Sequence, residues 1–338
     1  MPFDFELVDA PFRMQPGLRK LAPGTPQLTP SRRGDAVVAA KLAVLSAHAD
    51  AALIAEPGFD ARPVVEALVA HASAEHPDAL VRRGDALEAP FIGCAVGDQG
   101  RVHATDPALA ACLTVLAPEQ RIAGLLSLAL AEDFALLDAA TTRVPWLAVC
   151  LPSSWAPEHK VGRPFAEIHS PVADATAIVR AAPALARVVA QPQRLERFVW
   201  TLTPEPSLDR HPARVAAAEW SPAASPEELA RRTFLRHERQ TFIPLTERAQ
   251  AIFTIRVEVE PLTHAVRSAD AAARLHAALS TMSDAVLAYR GLAPARERLL
   301  AWLAARAGGA SPAAPDAASK ASPAVPGGSC GRARSTRG

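Results

Sequence analysis

The stretch "TFLRHERQTFIPLTERAQAIFTIRVEVEPL" (233–262) constrains the fold more than any other part of the chain. Its second half alternates strictly. Phe253, Ile255, Val257 and Val259 fall on one side of an extended backbone, and Thr254, Arg256, Glu258 and Glu260 on the other. A polar turn near Thr246–Ala249 separates this run from "LRHERQTF" (235–242). There Arg236, Glu238 and Gln240 share one face, and His237, Arg239 and Thr241 the other. Two strands joined by a short turn pair antiparallel, so a mainly antiparallel sheet is expected.

The rest of the chain mixes helical and extended signals. "SRRGDAVVAAKLAVLSAHAD" sets Val38, Leu42 and Leu45 on one helical face, and "DARPVVEALVAHASAEHP" does the same with Val64, Leu68 and Val69 before Pro77 stops it. "RRGDALEAPFIGCAVGDQGRVHATD" is turn-rich with short apolar runs. From Pro118, "PEQRIAGLLSLALAEDFALLD" predicts a helix through residue 138. "VPWLAVCLP" (144–152) and "RFVWTLTPEP" predict strands. "DATAIVRAAPALARVVAQPQRLE" predicts helix broken at Pro183 and Pro192, and "ADAAARLHAALSTMSDAVLAYRGL" a last helix running on toward "RERLLAWLAARAG". Helices, a mixed core and a late hairpin together imply an α+β fold rather than a doubly wound parallel one. The expectation is a single domain over residues 1–307. The Ala/Pro/Ser/Gly-rich tail, 308–338, has too little apolar area to order itself.

Several classes of function are set aside by what the chain lacks. Its 36 basic and 35 acidic residues give a net charge of +1, with none of the basic excess expected of a nucleic-acid or membrane-surface partner. The four cysteines, Cys94, Cys112, Cys150 and Cys330, form no C-x-x-C, so neither a zinc ribbon nor an iron–sulfur cluster is signalled. Scattered cysteines, an N-terminus without an apolar core and the lack of a spanning apolar run predict a cytoplasmic protein. No dinucleotide fingerprint, phosphate loop, nucleophile elbow or H-E-x-x-H is present. His71 and His76 are five apart, the wrong spacing for two ligands on one helix face, and read as a solvated helix end. Chemistry in such a chain needs a bound cofactor.

"WAPEHKVGRPFAEIHSPV" (155–172) is where one could bind. Trp155 and Pro157 make a stiff corner, Gly162 permits a tight turn, and "RPFAEIH" forms a short helical segment between Pro164 and Pro171. His169 then sits at a helix end beside Phe165 and Ile168. Two readings are open. Such a histidine can cap or fill a core through a backbone carbonyl, or it can be the proximal ligand of a five-coordinate haem iron. Lys160 could pair with a haem propionate; lysine stands otherwise only at positions 20, 41 and 320. The polar face of "LRHERQTF" is likewise either a solvated surface with cross-strand ion pairs or one wall of a ligand site.

With these stretches in hand, the sequence resembles the haem-dependent oxidative N-demethylase alpha subunits, the dimethylamine monooxygenase haem subunits of bacteria. The resemblance lies in "FRMQPGLRKL" (12–21), "AEDFALLD" (131–138), "LPSSW" through "IHSPV" (151–172), "LRHERQTF" followed by "AIFTIR", and "YRGL" (289–292). It covers about residues 10–305. It implies a haem-binding PAS-like core, with iron on a histidine, here His169. Lys160, Trp155 and Arg256 are the accompanying cofactor contacts. It further implies O2-dependent demethylation of a small secondary alkylamine such as dimethylamine, through a carbinolamine that collapses to formaldehyde and the shorter amine. Glu238 would hold the amine, and Arg236 or Arg239, depending on strand register, would stabilise negative charge near the iron. The cofactor on this chain would be haem b. NADPH, FMN, a [2Fe–2S] cluster and tetrahydrofolate would belong to partner reductase or ferredoxin-type subunits.

The sequence departs from the family pattern in three places. Val199 stands where an amide is usual, "FIPL" follows "ERQT" in place of Arg-Leu-Pro, and Glu258 stands where an aromatic is expected. Two other functions remain open beside the enzyme: a non-catalytic haem PAS-like sensor of gas or redox state, and a haem-free module that binds a small molecule or a partner.

Overall fold

A computed structural model of the chain describes residues 3–308. The tail expected to be disordered lies, past Gly308, outside the described residues. The strands in chain order are β1 (Arg19–Lys20), β2 (Leu53–Ala55), β3 (Val81–Arg83), β4 (Ala86–Ala89), β5 (Cys94–Val96), β6 (Val102–Ala104), β7 (Asp133–Asp138), β8 (Trp146–Ala148), β9 (Leu195–Thr203), β10 (Phe234–Leu245) and β11 (Gln250–Pro261). The α-helices are α1 (Ala36–Ala52), α2 (Arg62–Glu75), α3 (Pro107–Val115), α4 (Arg121–Ala129), α5 (Phe165–His169), α6 (Thr176–Val189), α7 (Pro226–Arg231), α8 (Leu262–Ala265), α9 (Ala269–Ser280), α10 (Asp284–Tyr289) and α11 (Arg296–Ala307).

The fold is α+β with antiparallel sheets, as expected. Seven strands form the main sheet in the order β1-β9-β10-β11-β7-β8-β2. Each neighbouring pair in it is antiparallel. β3 to β6 form a separate four-stranded sheet. The hairpin lies where the alternation puts it: β10 and β11 pair from Phe234↔Pro261 to Leu245↔Gln250. A 3-10 turn over Thr246–Arg248 joins them, and Ala249 takes a φ of 51° to close it.

Two helical expectations are corrected. "AEDFALLD" is not helix. α4 ends at Ala129, Leu130 is extended, and 133–138 is strand β7, buried along nearly its whole length between β11 and β8. A fully buried strand has no alternation, so its composition matches that of a buried helix. What fixes the extended form is the two acids at its start. Glu132 Oε2 accepts the backbone N–H of Thr29 at 2.9 Å, and Asp133 Oδ2 that of Leu151 at 2.7 Å. Asp133 Oδ1 lies 3.0 Å from Lys41 Nζ on α1, and both side chains are buried. Lys41 also donates to the carbonyls of Leu130 at 3.1 Å and Glu132 at 2.6 Å, which explains a fully buried ammonium.

Nor does Pro183 break its helix. α6 runs through it, because Ile178, Ala182, Ala186 and Val189 make one buried stripe whose packing offsets the missing backbone donor. With α5, this helix closes one side of the main sheet: Ala186 and Val189 pack in one cluster with Leu195 and Phe242, and Phe165 and Ile168 lie against it. On the other side, α9 and α11 pack with Trp200, Leu202 and Leu235.

Candidate functional site

In an antiparallel ladder, directly paired residues share a face. Glu238 pairs with Val199 on β9 and Val257 on β11; Gln240 with Arg197 and Ile255; Arg236 with Thr201 and Val259. One face of β9–β10–β11 therefore carries Arg236, Glu238, Gln240 and Arg197, set among valines and isoleucine. The other carries His237, Arg239 and Thr241 with Glu196, Arg256, Glu258 and Thr254.

On the first face the polar groups form one connected row. Arg236 Nε donates to Ser153 Oγ at 2.9 Å, and the Ser153 hydroxyl donates to Glu238 Oε1 in a short bond. Gln240 Nε2 donates to Glu238 Oε2 at 2.6 Å. Arg236 is buried, and its other N–H groups reach the carbonyls of Ser207 and Leu208, both at 2.9 Å. Burial brings its pKa down to about 10. Arg197 sits beside this row and interacts electrostatically with Glu238.

His169 belongs to the same face. The strap leading to it leaves strand β8, turns at Gly162, where φ is 72°, and enters the short helix α5. The His169 ring packs on Phe165 with centroids 4.0 Å apart. Its Nδ1 lies 2.9 Å from the Phe165 carbonyl oxygen. A carbonyl only accepts, so Nδ1 carries the proton and Nε2 keeps its lone pair. Burial lowers the ring's pKa to about 4; the Phe165 bond opposes that shift, and Arg197 and Lys160 add to it. The imidazole is neutral at pH 7, with Nε2 free to bind a metal.

Lys160 sits at the rim and donates from Nζ to the Ile168 carbonyl at 3.0 Å. Burial lowers its pKa. Trp155 lies partly buried against the same apolar cluster as Phe165, Ile168 and Phe253. The structure thus brings together Arg236, Glu238, His169, Lys160 and Trp155.

It does not bring Arg239 or Arg256 to this face. Strand parity places both on the opposite side, directly across from one another. Arg239 Nε donates to Glu196 Oε2 at 3.0 Å and its Nη2 to the Pro26 carbonyl. Arg256 donates to Thr29 Oγ1 at 2.9 Å and forms a close ion pair with Glu258. The choice between Arg236 and Arg239 resolves geometrically: only Arg236 shares a face with Glu238. Of the departures from the family pattern, Val199 lines the Glu238 face and Glu258 lies on the other. His71 and His76 are not at a solvated helix end. His71 Nε2 is 3.4 Å from Glu75, and His76 Nε2 is 2.9 Å from the Leu28 carbonyl oxygen.

Ser153 and Arg197 are members of this site that sequence reasoning missed. Ser153 stood in the sequence only as part of the matching stretch "LPSSW". Arg197 in "RFVW" needs the register of β9 against β10 before its face is known. Tyr289, the chain's one tyrosine, is 53% exposed at the end of α10 yet feels the Glu238 charge.

A family model described as haem-dependent oxidative N-demethylase, alpha subunit-like, matches residues 38–300. The matched span takes in β7, the strap with His169, the β10–β11 hairpin and α10. The stretch 12–21 lies outside it. With most of its length matched, the chain belongs to the haem-dependent oxidative N-demethylase alpha-subunit-like family.

Proposed function

We propose that the chain is a haem-binding oxidative N-demethylase subunit, with a PAS-like core within residues 1–307 and His169 Nε2 as the iron ligand. One observation carries this reading: the His169 ring is neutral and fixed through Nδ1, which leaves Nε2 with its lone pair, in a place where it feels Arg197 of the Glu238 face. Among the described residues no group of three or more His, Cys, Asp or Glu could hold a metal ion. A porphyrin needs only one protein nitrogen. The surroundings fit such a group. Phe165, Ile168, Phe242, Phe253 and Trp155 supply apolar cover, and Lys160 supplies a cation for its carboxylates.

Bound haem b supplies the redox chemistry by which dioxygen oxidises an N-methyl group. The chain's own residues bind and orient the amine. A small secondary amine is protonated at neutral pH, and in a water-poor site its charge requires a carboxylate partner. Glu238 takes that role and accepts the ammonium proton when it leaves. Arg236, held rigid by two carbonyls and Ser153, is a preorganised cation for negative charge that develops beside the amine. The chain carries no dinucleotide fingerprint, which supports electron supply by separate NADPH-, FMN- and [2Fe–2S]-carrying subunits, with tetrahydrofolate also on partner subunits, in the cytoplasm.

The test is optical. The purified chain shows a Soret band, and amine-dependent oxygen uptake appears with a supplied reductase. His169→Ala abolishes the ligation spectrum while the fold persists; an unchanged spectrum means another ligand. Glu238→Gln keeps the spectrum and loses the amine-induced shift, and wild-type amine affinity in that variant ends the assignment of Glu238. Haem without amine-dependent uptake leaves the sensor; no haem leaves the binding module.

A further inference from the structure

Arg197, on the Glu238 face, is incompletely bonded. Its Nε is enclosed and has no hydrogen-bond partner among the described residues. It stands on β9 opposite Gln240, one diagonal step from Glu238. Diagonal cross-strand neighbours lie about 7–8 Å apart at the backbone, within reach of long side chains. An enclosed guanidinium N–H without an acceptor is destabilising, so this arrangement is stable only because the fold holds it or because a ligand completes it.

The charges around it say which ligand. Arg197 and Arg236 both lie near enough to Glu238 to feel its charge, and Arg197 and Lys160 both act on the neighbouring His169. Farther along, Glu205 and Asp209 are already engaged by Arg210 and Arg214. Glu238 itself accepts from Ser153 and Gln240. A bare dialkylammonium would add a positive charge where positive charge is already in excess. A secondary amine that carries its own carboxylate adds no net charge, and its carboxylate matches the planar fork of an arginine. In an α-amino acid one carbon separates ammonium from carboxylate, so both ends can be met by two long side chains converging from neighbouring strands.

We propose that Arg197 receives a carboxylate on the substrate, and that the site selects N-methylated amino acids, with the ammonium on Glu238 and the carboxylate on Arg197. This rests on the N-demethylase reading of the same site. The other source of a carboxylate is the haem edge, and the experiment separates the two.

Calorimetric titration of the haem-loaded chain with N-methylglycine and with dimethylamine is the measurement. The expected result is that N-methylglycine binds at least about tenfold more tightly. Arg197→Met removes that preference, leaves dimethylamine binding within about twofold and keeps the haem off-rate; Arg197→Lys recovers part of the preference. Equal or weaker binding of N-methylglycine to the wild-type chain overturns the proposal, with no variant needed. So does an Arg197→Met chain that sheds haem faster and loses both amines alike, which would put a haem propionate on Arg197. A chain that binds no haem yet keeps the tenfold preference ends the demethylase reading and retains the carboxylate site.

Discussion

The two faces of the β9–β10–β11 ladder use the same residue types and differ in how far they are bonded. On the side away from His169, glutamate, arginine, glutamine and threonine form a network around Glu75 and Glu196, with His237 Nδ1 enclosed and without a hydrogen-bond partner among the described residues. Glu75 accepts the backbone N–H groups of Gln27 and Leu28 and an Arg194 N–H at 2.9 Å. The Gln27 side chain donates to the Phe242 carbonyl at 2.7 Å, and Thr241 and Thr254 bond hydroxyl to hydroxyl at 2.8 Å. Glu196 holds both Arg19 and Arg239. On the His169 side, Arg197 Nε is enclosed and has no hydrogen-bond partner among the described residues. A closed network rigidifies; an open one is available to a ligand. The loop before α1, from Thr25 to Thr29, and helix α2 make the difference, because they cover only one face.

That contrast can be broken experimentally. The largest effect is expected for Glu75→Gln, which strips the charge from the hub of the closed face. It should cost about 2–3 kcal/mol, read as a shift of the urea midpoint, with the haem spectrum unchanged. Loss of the spectrum at unchanged stability would mean that the two faces are not separate in function.

Acid separates the faces next. The His169 pKa is depressed to about 4 from an ordinary value of 6.5. For a base held neutral, the unfolded chain binds the proton first, so stability is full above pH 6.5 and falls as pH drops toward 4, by about 1 kcal/mol for a half-buried ring. Burial alone would raise the Glu75 pKa, but His71 and the Gln27 and Leu28 N–H groups bring it to about 2 from 4.5. Its contribution is present above pH 4.5 and is lost as pH falls toward 2. Stability of the haem-free chain should thus decline in two stages. His169→Phe should shrink the upper stage, to which His237, its pKa also lowered by burial, contributes from the other face, and leave the lower stage unchanged; a single stage in the wild-type chain would refute the assignment.

Arg197→Met should have the smallest effect on stability, within about 1 kcal/mol in either direction, because it removes an enclosed charge that makes no hydrogen bond to the protein. A loss as large as that of Glu75→Gln would show Arg197 to be structural.

The sequence made the hairpin legible because half-buried strands alternate: Phe253 through Val259 could not be read otherwise. It left β7 illegible because "FALLD" is buried on both faces and carries no period. The strap was read correctly as corner, glycine turn and short helix, each step having a steric cause in Trp155, Gly162 or Pro164. The partition of arginines was not readable. Arg236 and Arg239 differ by an odd number of positions, so they must part, but which one joins His169 depends on how the 155–172 strap docks, and no local residue encodes that. Arg197 was hidden for the same reason, one strand farther away.

The buried pairing of Lys41 with Asp133 has a consequence for how the chain meets reagents. The Lys41 ammonium donates to two carbonyls and pairs with Asp133, and its side chain is 0% exposed, whereas Lys20 lies exposed on β1. An acylating probe will therefore modify Lys20 at once and reach Lys41 only in those moments when α1 lifts from β7. The ratio of the two labelling rates measures the free energy of that local opening, so the chain carries its own reporter on the seam between its first long helix and the strand that sequence reading took for a helix.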